Sequence, residues 1–133
     1  MWTKTLAALA AAIGVLWAAN NTPARADVKD YEFELVQSEL RRGEGAIVAV
    51  RLLNKKAGKP VPDAVVFAKR LDMAPDGMAS MEESLDPLPM TEPGVYRFRT
   101  NLTMAGRWQL SLAARAQGEE GTIQTKLILQ VLP

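Results

Sequence analysis

Hydrophobic and polar positions alternate along several short segments of the chain, and the first of these segments is Tyr31–Gln37. Tyr31, Phe33 and Leu35 fall on one face and two glutamates fall on the other, which is the pattern of a half-buried β-strand. The segment Ala46–Leu53 is a run of branched apolar residues between turn signals, typical of a buried strand. The same criteria predict four further strands, at Ala64–Lys69, Val95–Thr100, Arg107–Ala116 and Thr122–Leu132.

Segments rich in glycine, proline and charged residues separate these strands, as in Ser38–Gly45, Asn54–Pro62 and Gln117–Gly121. Asp72–Gly94 is the one long segment for which the pattern predicts irregular structure. Short strands that recur every 8–12 residues or so, with no helical stripe between them, are typical of an antiparallel sandwich. We therefore predict an all-β fold, a single Ig-like antiparallel β-sandwich of about seven strands.

The first 26 residues have the three parts of a secretory signal peptide. Lys4 supplies the positive charge, Leu6–Ala19 is an uncharged apolar stretch, and Thr22–Ala26 ends in the A-x-A pattern that signal peptidase cleaves. The apolar stretch spans about 21 Å as a helix, whereas an uncleaved anchor, the alternative, has to cross about 30 Å of hydrocarbon. The prediction is a cleaved signal peptide at residues 1–26 and a single domain at residues 27–133, periplasmic or otherwise exported, without stable membrane insertion after cleavage.

Composition then excludes most chemistry. The 133 residues include no cysteine and no histidine, so disulfides, thiolate metal sites, Cys nucleophiles and His-dependent catalysis are ruled out. The net charge of +1 gives no electrostatic basis for a nucleic-acid partner, and removal of Lys4 and Arg25 with the signal peptide makes the net charge −1. No cluster of carboxylate, lysine, tyrosine or serine side chains suggests a catalytic site, so an enzyme is not expected.

Five methionines besides Met1 fall within a 32-residue window: Met73, Met78, Met81, Met90 and Met104. Thioether sulfur is a soft ligand that suits Cu(I), and unlike a thiolate it forms no disulfide in an oxidising compartment. The alternative is that these flexible side chains fill gaps in the core. Packing is the favoured interpretation for any single methionine, but the first three lie together in an otherwise polar segment, where a Cu(I) site and packing are about equally favoured.

Acidic residues accompany the methionines: Asp72, Asp76, Glu82, Glu83 and Asp86. Their oxygens could bind a hard cation such as Ca²⁺, but they lack the regular spacing and the fixed glycine of an EF-hand loop. A solvated polar segment therefore remains the favoured interpretation of these carboxylates.

The chain resembles the YtkA-like group, which is related to FixH-family proteins. The resemblance covers roughly Val36 to Val131 and rests on P-G-x-Y-x-F and M-A-G-x-W motifs together with two less specific stretches. The stretches that carry it are Val48–Leu52 with Gly58–Ala64, Arg70–Met78, and Pro93–Phe98 with Leu102–Leu110.

The resemblance implies an exported Ig-like sandwich, and some relatives are linked to copper handling, heavy-metal efflux or assembly of a copper-containing oxidase. In the family's D-M-x-P-x-x-M segment a Met or His is a suspected metal ligand, which points here to Met73 and Met78, with Met81 and Met104 as further candidates. The function predicted is a metallochaperone-like protein that holds or delivers Cu(I), with an envelope protein of an efflux or oxidase-assembly system as its partner. The alternative is a non-metal protein-interaction module that uses edge strands and the Asp72–Gly94 segment.

Overall fold

The computed structural model describes residues 28–133, so the predicted signal peptide at residues 1–26 lies outside the described part of the chain. Within that part no helix is both long enough and apolar enough to span a membrane. Residues 28–133 include two short 3-10 helices, at Val28–Asp30 and Ala74–Asp76. The strands are β1 (Tyr31–Leu35), β2 (Glu39–Arg41), β3 (Gly43–Asn54), β4 (Lys59–Pro60), β5 (Val65–Met73), β6 (Met78–Glu83), β7 (Asp86–Leu88), β8 (Val95–Leu102), β9 (Gly106–Arg115) and β10 (Ile123–Leu132).

These strands form two sheets that pack face to face. One sheet has the order β1-β3-β8-β7, with β4 paired to the end of β3, and the other has the order β2-β10-β9-β5-β6. All strand pairs are antiparallel except β2 with β10. The predicted all-β Ig-like sandwich is therefore confirmed, with additional short strands beyond the six segments identified from the sequence.

The core lies between the sheets and follows the predicted alternation. In β9 the side chains of Trp108, Leu110 and Leu112 are buried, while the residues between them are partly exposed. They belong to one apolar cluster with Val48 and Leu52 of β3 in the opposite sheet. Each such side chain contributes about 1.5–3 kcal/mol by leaving water, so the inner faces of β3 and β9 contribute substantially to stability.

Tyr96 of β8 ties the β4–β5 connection to the first sheet. Its hydroxyl donates a hydrogen bond to the carbonyl oxygen of Val61 (2.6 Å) and accepts one from the amide of Ala64 (3.0 Å). Burial, reinforced by the negative charge of Asp63, raises the pKa of Tyr96 above its ordinary value. The folded protein therefore favours the neutral phenol of Tyr96 over the phenolate.

The prediction of irregular structure for Asp72–Gly94 was wrong. The strand β5 continues to Met73, and β6 and β7 follow within the segment. The pairing of β5 with β6 shifts register after Asp72, and the burial of β6 does not alternate with a period of two. A bulged strand of this kind gives no clear alternation in sequence, because the extra residues on one side break the period.

The predicted turn at Ser38–Gly45 also contains regular structure, since it includes β2 and the first residues of β3. Most residues of this segment are exposed. An edge strand that faces solvent carries polar side chains, so its sequence looks like that of a loop.

Candidate metal-binding site

Met73 and Met78 lie opposite each other where β5 and β6 meet. They are register partners on the two antiparallel strands, on either side of the short 3-10 helix Ala74–Asp76. Directly opposed residues have Cβ atoms about 4.5–5.5 Å apart, which allows both thioethers to reach one ion. Met73 is 1% exposed, whereas Met78 is partly exposed and packs against the core. The pair therefore extends from the core towards the surface.

Met81 lies in the bulged part of β6. The register passes from the pair Asp72–Glu82 directly to Met73–Met78, so Met81 has no partner opposite it on β5. Its side chain is partly exposed and, like that of Met78, packs against the core.

The turn between β8 and β9 brings Met104 to the same end of the sandwich. The backbone carbonyl of Met104 accepts a hydrogen bond from the indole nitrogen of the buried Trp108 (3.0 Å), which fixes the turn to the core. Two residues after Met104, a Cβ placed on Gly106 would lie 2.7 Å from the terminal methyl carbon of Met73. Met104 itself is 38% exposed, so the turn packs on Met73 while the Met104 side chain reaches solvent.

Met90 lies at the opposite end of the molecule. It follows β7 and precedes β8, whereas Met104 follows β8. The eight residues of β8 separate the two methionines, which corresponds to about 23 Å along an extended strand. Met90 lines a groove with residues of β5 and β8 instead.

An ion pair secures the 3-10 helix against β9. Asp76 accepts hydrogen bonds from the backbone amide (2.8 Å) and the guanidinium Nε (2.9 Å) of Arg107. The same guanidinium donates to the carbonyl of Pro75 (2.8 Å). The amide and then the guanidinium of Arg107 hold the pKa of Asp76 below its ordinary value. The helix that connects the two facing methionines is thereby fixed in place.

The carboxylates of Asp72 and Glu82 are engaged by protein donors. Asp72 is buried and accepts hydrogen bonds from the guanidinium of Arg70 and, at 2.9 Å, from the amide of Ala74. Arg70 also pairs with Glu82 at 3.1 Å. The hydrogen bond between Arg70 and Asp72 raises the pKa of the arginine. Among residues 28–133 no group of three or more carboxylate, histidine or cysteine side chains is placed to hold a metal ion.

Sequence reasoning missed the structural roles of three residues that shape this end of the sandwich: Gly106, Asp76 and Arg107. Gly106 has φ +139° and adjoins both Met73 and Asp76, so its lack of a side chain allows the turn to pack closely. The glycine stands within the M-A-G-x-W motif, which is the signal that could have identified it. The Asp76–Arg107 pair joins residues 31 positions apart, and no local pattern indicates such a contact.

A family model described as YtkA-like matches residues 25–113, and no curated protein matches the chain. The Lin-41 filamin domain is 14% identical, with 81% of this chain and 95% of that chain covered and a TM-score of 0.48. The ZirS C-terminal domain is 13% identical, with 98% of this chain and 86% of that chain covered and a TM-score of 0.46.

Proposed function

The chain belongs to the YtkA-like family, and on that basis we propose that it is an exported protein that holds Cu(I) as cargo through methionine thioethers. The observation that carries the proposal is the register pairing of Met73 with Met78, next to the turn that bears Met104. The activity proposed is reversible coordination without catalysis. The cargo passes to an envelope protein of an efflux or oxidase-assembly system.

The donor set suits Cu(I) and few other ions. A chain without cysteine or histidine offers only thioether sulfur as a soft ligand, and soft sulfur favours Cu(I) over hard divalent cations. Thioethers bind without losing a proton, so the affinity of such a site depends little on pH in the neutral range. Met73 and Met78 supply the paired donors, with Met81 and Met104 as the further ligands at the rim.

The gradient of exposure across the site supports handover of the ion. Met73 is enclosed by the core, while the side chain of Met104 is 38% exposed. The carboxylate of Asp76 and the methyl group of Met73 both adjoin the position of Gly106. Because the Asp76 carboxylate is paired with Arg107, the affinity for the ion rests on the thioethers and not on this charge.

A Cu(I) titration of residues 27–133 under anaerobic, reducing conditions, with a competing chromophoric chelator, tests this proposal. We expect binding of one ion per chain, and we expect the combined variant Met73→Leu, Met78→Leu, Met81→Leu to lose it because leucine keeps the apolar bulk and removes the sulfur. Met90→Leu, at the far end of β8, is the matched control and should bind Cu(I) like the wild type. Equal affinity in the triple variant would show that these thioethers are not the ligands.

A further inference from the structure

One edge of the second sheet lacks a partner strand. In the described part of the chain, β5 pairs with β9 from Val65 to Asp72, but β6 pairs only with Leu71–Met73. The segment Val65–Arg70 is therefore hydrogen-bonded to a neighbouring strand on one side only. The free side presents backbone N–H and C=O groups that an extended peptide can pair with.

This edge carries large apolar side chains in solvent. Val65 is 60% exposed and Phe67 is 53% exposed, so the edge presents apolar surface although it also carries Lys69 and a bulge, which help to protect an edge strand. Phe67 occupies the bulge between Val66 and Ala68, and its ring lies 5.6 Å from the guanidinium carbon of Arg115.

A groove runs beside the free edge, between β5 and the strands β7 and β8 of the other sheet. It has a volume of about 190 Å³ and is lined mainly by apolar residues, among them Val66, Leu88 and Met90. Small-molecule sites usually exceed about 300 Å³, so the groove is suited to one or two side chains rather than to a whole ligand.

Two cations and no carboxylate line this groove. Lys69 is the register partner of Leu112 on β9, and the side chain of Leu112 is buried between the sheets. Register partners share a face of the sheet, so the exposed Lys69 lies on the groove side of β5. Arg97 donates from its terminal NH2 to the carbonyl of Pro89 (2.9 Å), while its Nε is buried and lacks a hydrogen-bond partner among the described residues. An acidic group in the groove would complement both charges.

We propose that the free edge of β5 binds an extended segment of a partner protein as an added strand. The segment pairs with the backbone of Val65–Lys69, places an apolar side chain opposite Val66 in the groove, and places a carboxylate opposite Lys69. On the outer face its apolar side chains cover Phe67.

A second copy of this chain fits the edge less well. Suppose that the β5 edges of two copies pair antiparallel, with the groove face of one strand on the same side as the groove face of the other. Val66 of each copy then lies opposite Lys69 of the other. Each lysine would then meet an apolar side chain and no carboxylate. Charge complementarity therefore favours an acidic partner segment over self-association.

The test uses metal-free protein and synthetic eight-residue peptides of alternating threonine and valine, capped at both ends. In one peptide two central residues are glutamate, in a second they are lysine, and a third carries the glutamates with alternate backbone amides methylated. Binding is measured by fluorescence anisotropy of labelled peptides, and the contact surface is mapped by amide chemical shifts of the protein.

We expect the glutamate peptide to bind and to shift the amides of Val65–Lys69, while the lysine and methylated peptides bind at least about tenfold more weakly. Lys69→Glu should weaken the glutamate peptide by about tenfold and should favour the lysine peptide. The matched control is Lys56→Glu, an exposed lysine between β3 and β4 that does not line the groove, and it should leave binding unchanged.

Several results would overturn the proposal: no binding of the glutamate peptide, equal binding of the methylated peptide, equal effects of the two lysine variants, or shifts that map to another surface. Concentration-dependent dimerisation through the β5 edge, without peptide binding, would also overturn it in favour of self-association. Because the measurements exclude metal, they do not depend on the Cu(I) proposal.

Discussion

Replacement of Gly106 by alanine should destabilise the protein more than replacement of any other turn glycine near the candidate metal-binding site by alanine. The glycine has φ +139°, which an L-residue rarely adopts, and holding a non-glycine residue there costs about 1–3 kcal/mol. The added Cβ would also lie 2.5 Å from a carboxylate oxygen of Asp76 and 2.7 Å from the methyl carbon of Met73. Overpacking of this kind costs about another 1–3 kcal/mol.

The matched control is Gly58→Ala. Gly58 also has a positive φ, +69°, but a Cβ there would meet nothing within 4 Å. The control therefore isolates the backbone cost, about 1–2 kcal/mol. Because φ is +139° at Gly106 and +69° at Gly58, the difference between the two variants combines the close approach of the β8–β9 turn to Met73 with the larger backbone strain at Gly106.

Thermal and urea unfolding, followed by the fluorescence of Trp108 in residues 27–133, gives the free energy of unfolding of each variant. We expect Gly106→Ala to cost about 2–6 kcal/mol, which corresponds to a fall in Tm of at least about 8 °C. We also expect it to weaken Cu(I) binding, because both contacts lie at the proposed site. Equal destabilisation by the two variants would refute the close packing of this turn.

Three further changes test contacts elsewhere in the sandwich. Tyr96→Phe should remove part of the stability loss that the wild type shows above about pH 10. The pKa of Tyr96 is raised in the folded protein, so at alkaline pH the unfolded state ionises first and is favoured. Identical alkaline unfolding curves for the two proteins would contradict this. Asp76→Asn should be less stable than the wild type at pH 7, and the difference should vanish as the pH falls below about 4 and through the lowered folded pKa; a difference that persists at pH 2 would indicate that charge is not its cause. Trp108→Phe should cost about 1–3 kcal/mol in urea unfolding, because it leaves the carbonyl of Met104 without its donor; no change would mean that water replaces the indole.

Much of the fold could be predicted because the core strands have strong periodic patterns. The alternation through Trp108, Leu110 and Leu112 identified β9 as a core strand of one sheet. The apolar run of β3 identified that strand as a core strand of the other sheet. The strands β6 and β7 were missed because β6 is bulged and β7 is only three residues long, so neither produces a period of two.

The candidate site was predictable in composition but not in geometry. The sequence showed that methionines cluster, but it did not show that Met73 faces Met78 or that Met90 lies at the other end of β8. These relations depend on strand register and on which turns share an end of the sandwich. Both are set by contacts between residues distant in sequence, such as Asp76 with Arg107.

The strand β5 carries both proposed sites, and its geometry predicts that they act independently. Lys69 borders the groove and Met73 faces Met78, and four residues of strand place the two side chains about 13 Å apart. Between them the strand is held to β9 by an unshifted register from Ala68 to Asp72, which leaves no hinge to transmit a change. Since sites more than 7–10 Å apart without shared partners usually behave additively, Lys69→Glu should leave Cu(I) affinity unchanged and Met73→Leu should leave peptide affinity unchanged. A change of more than about threefold in either cross-measurement, seen in titrations of both single variants, would mean that β5 moves as a unit and that metal loading and partner binding are coupled.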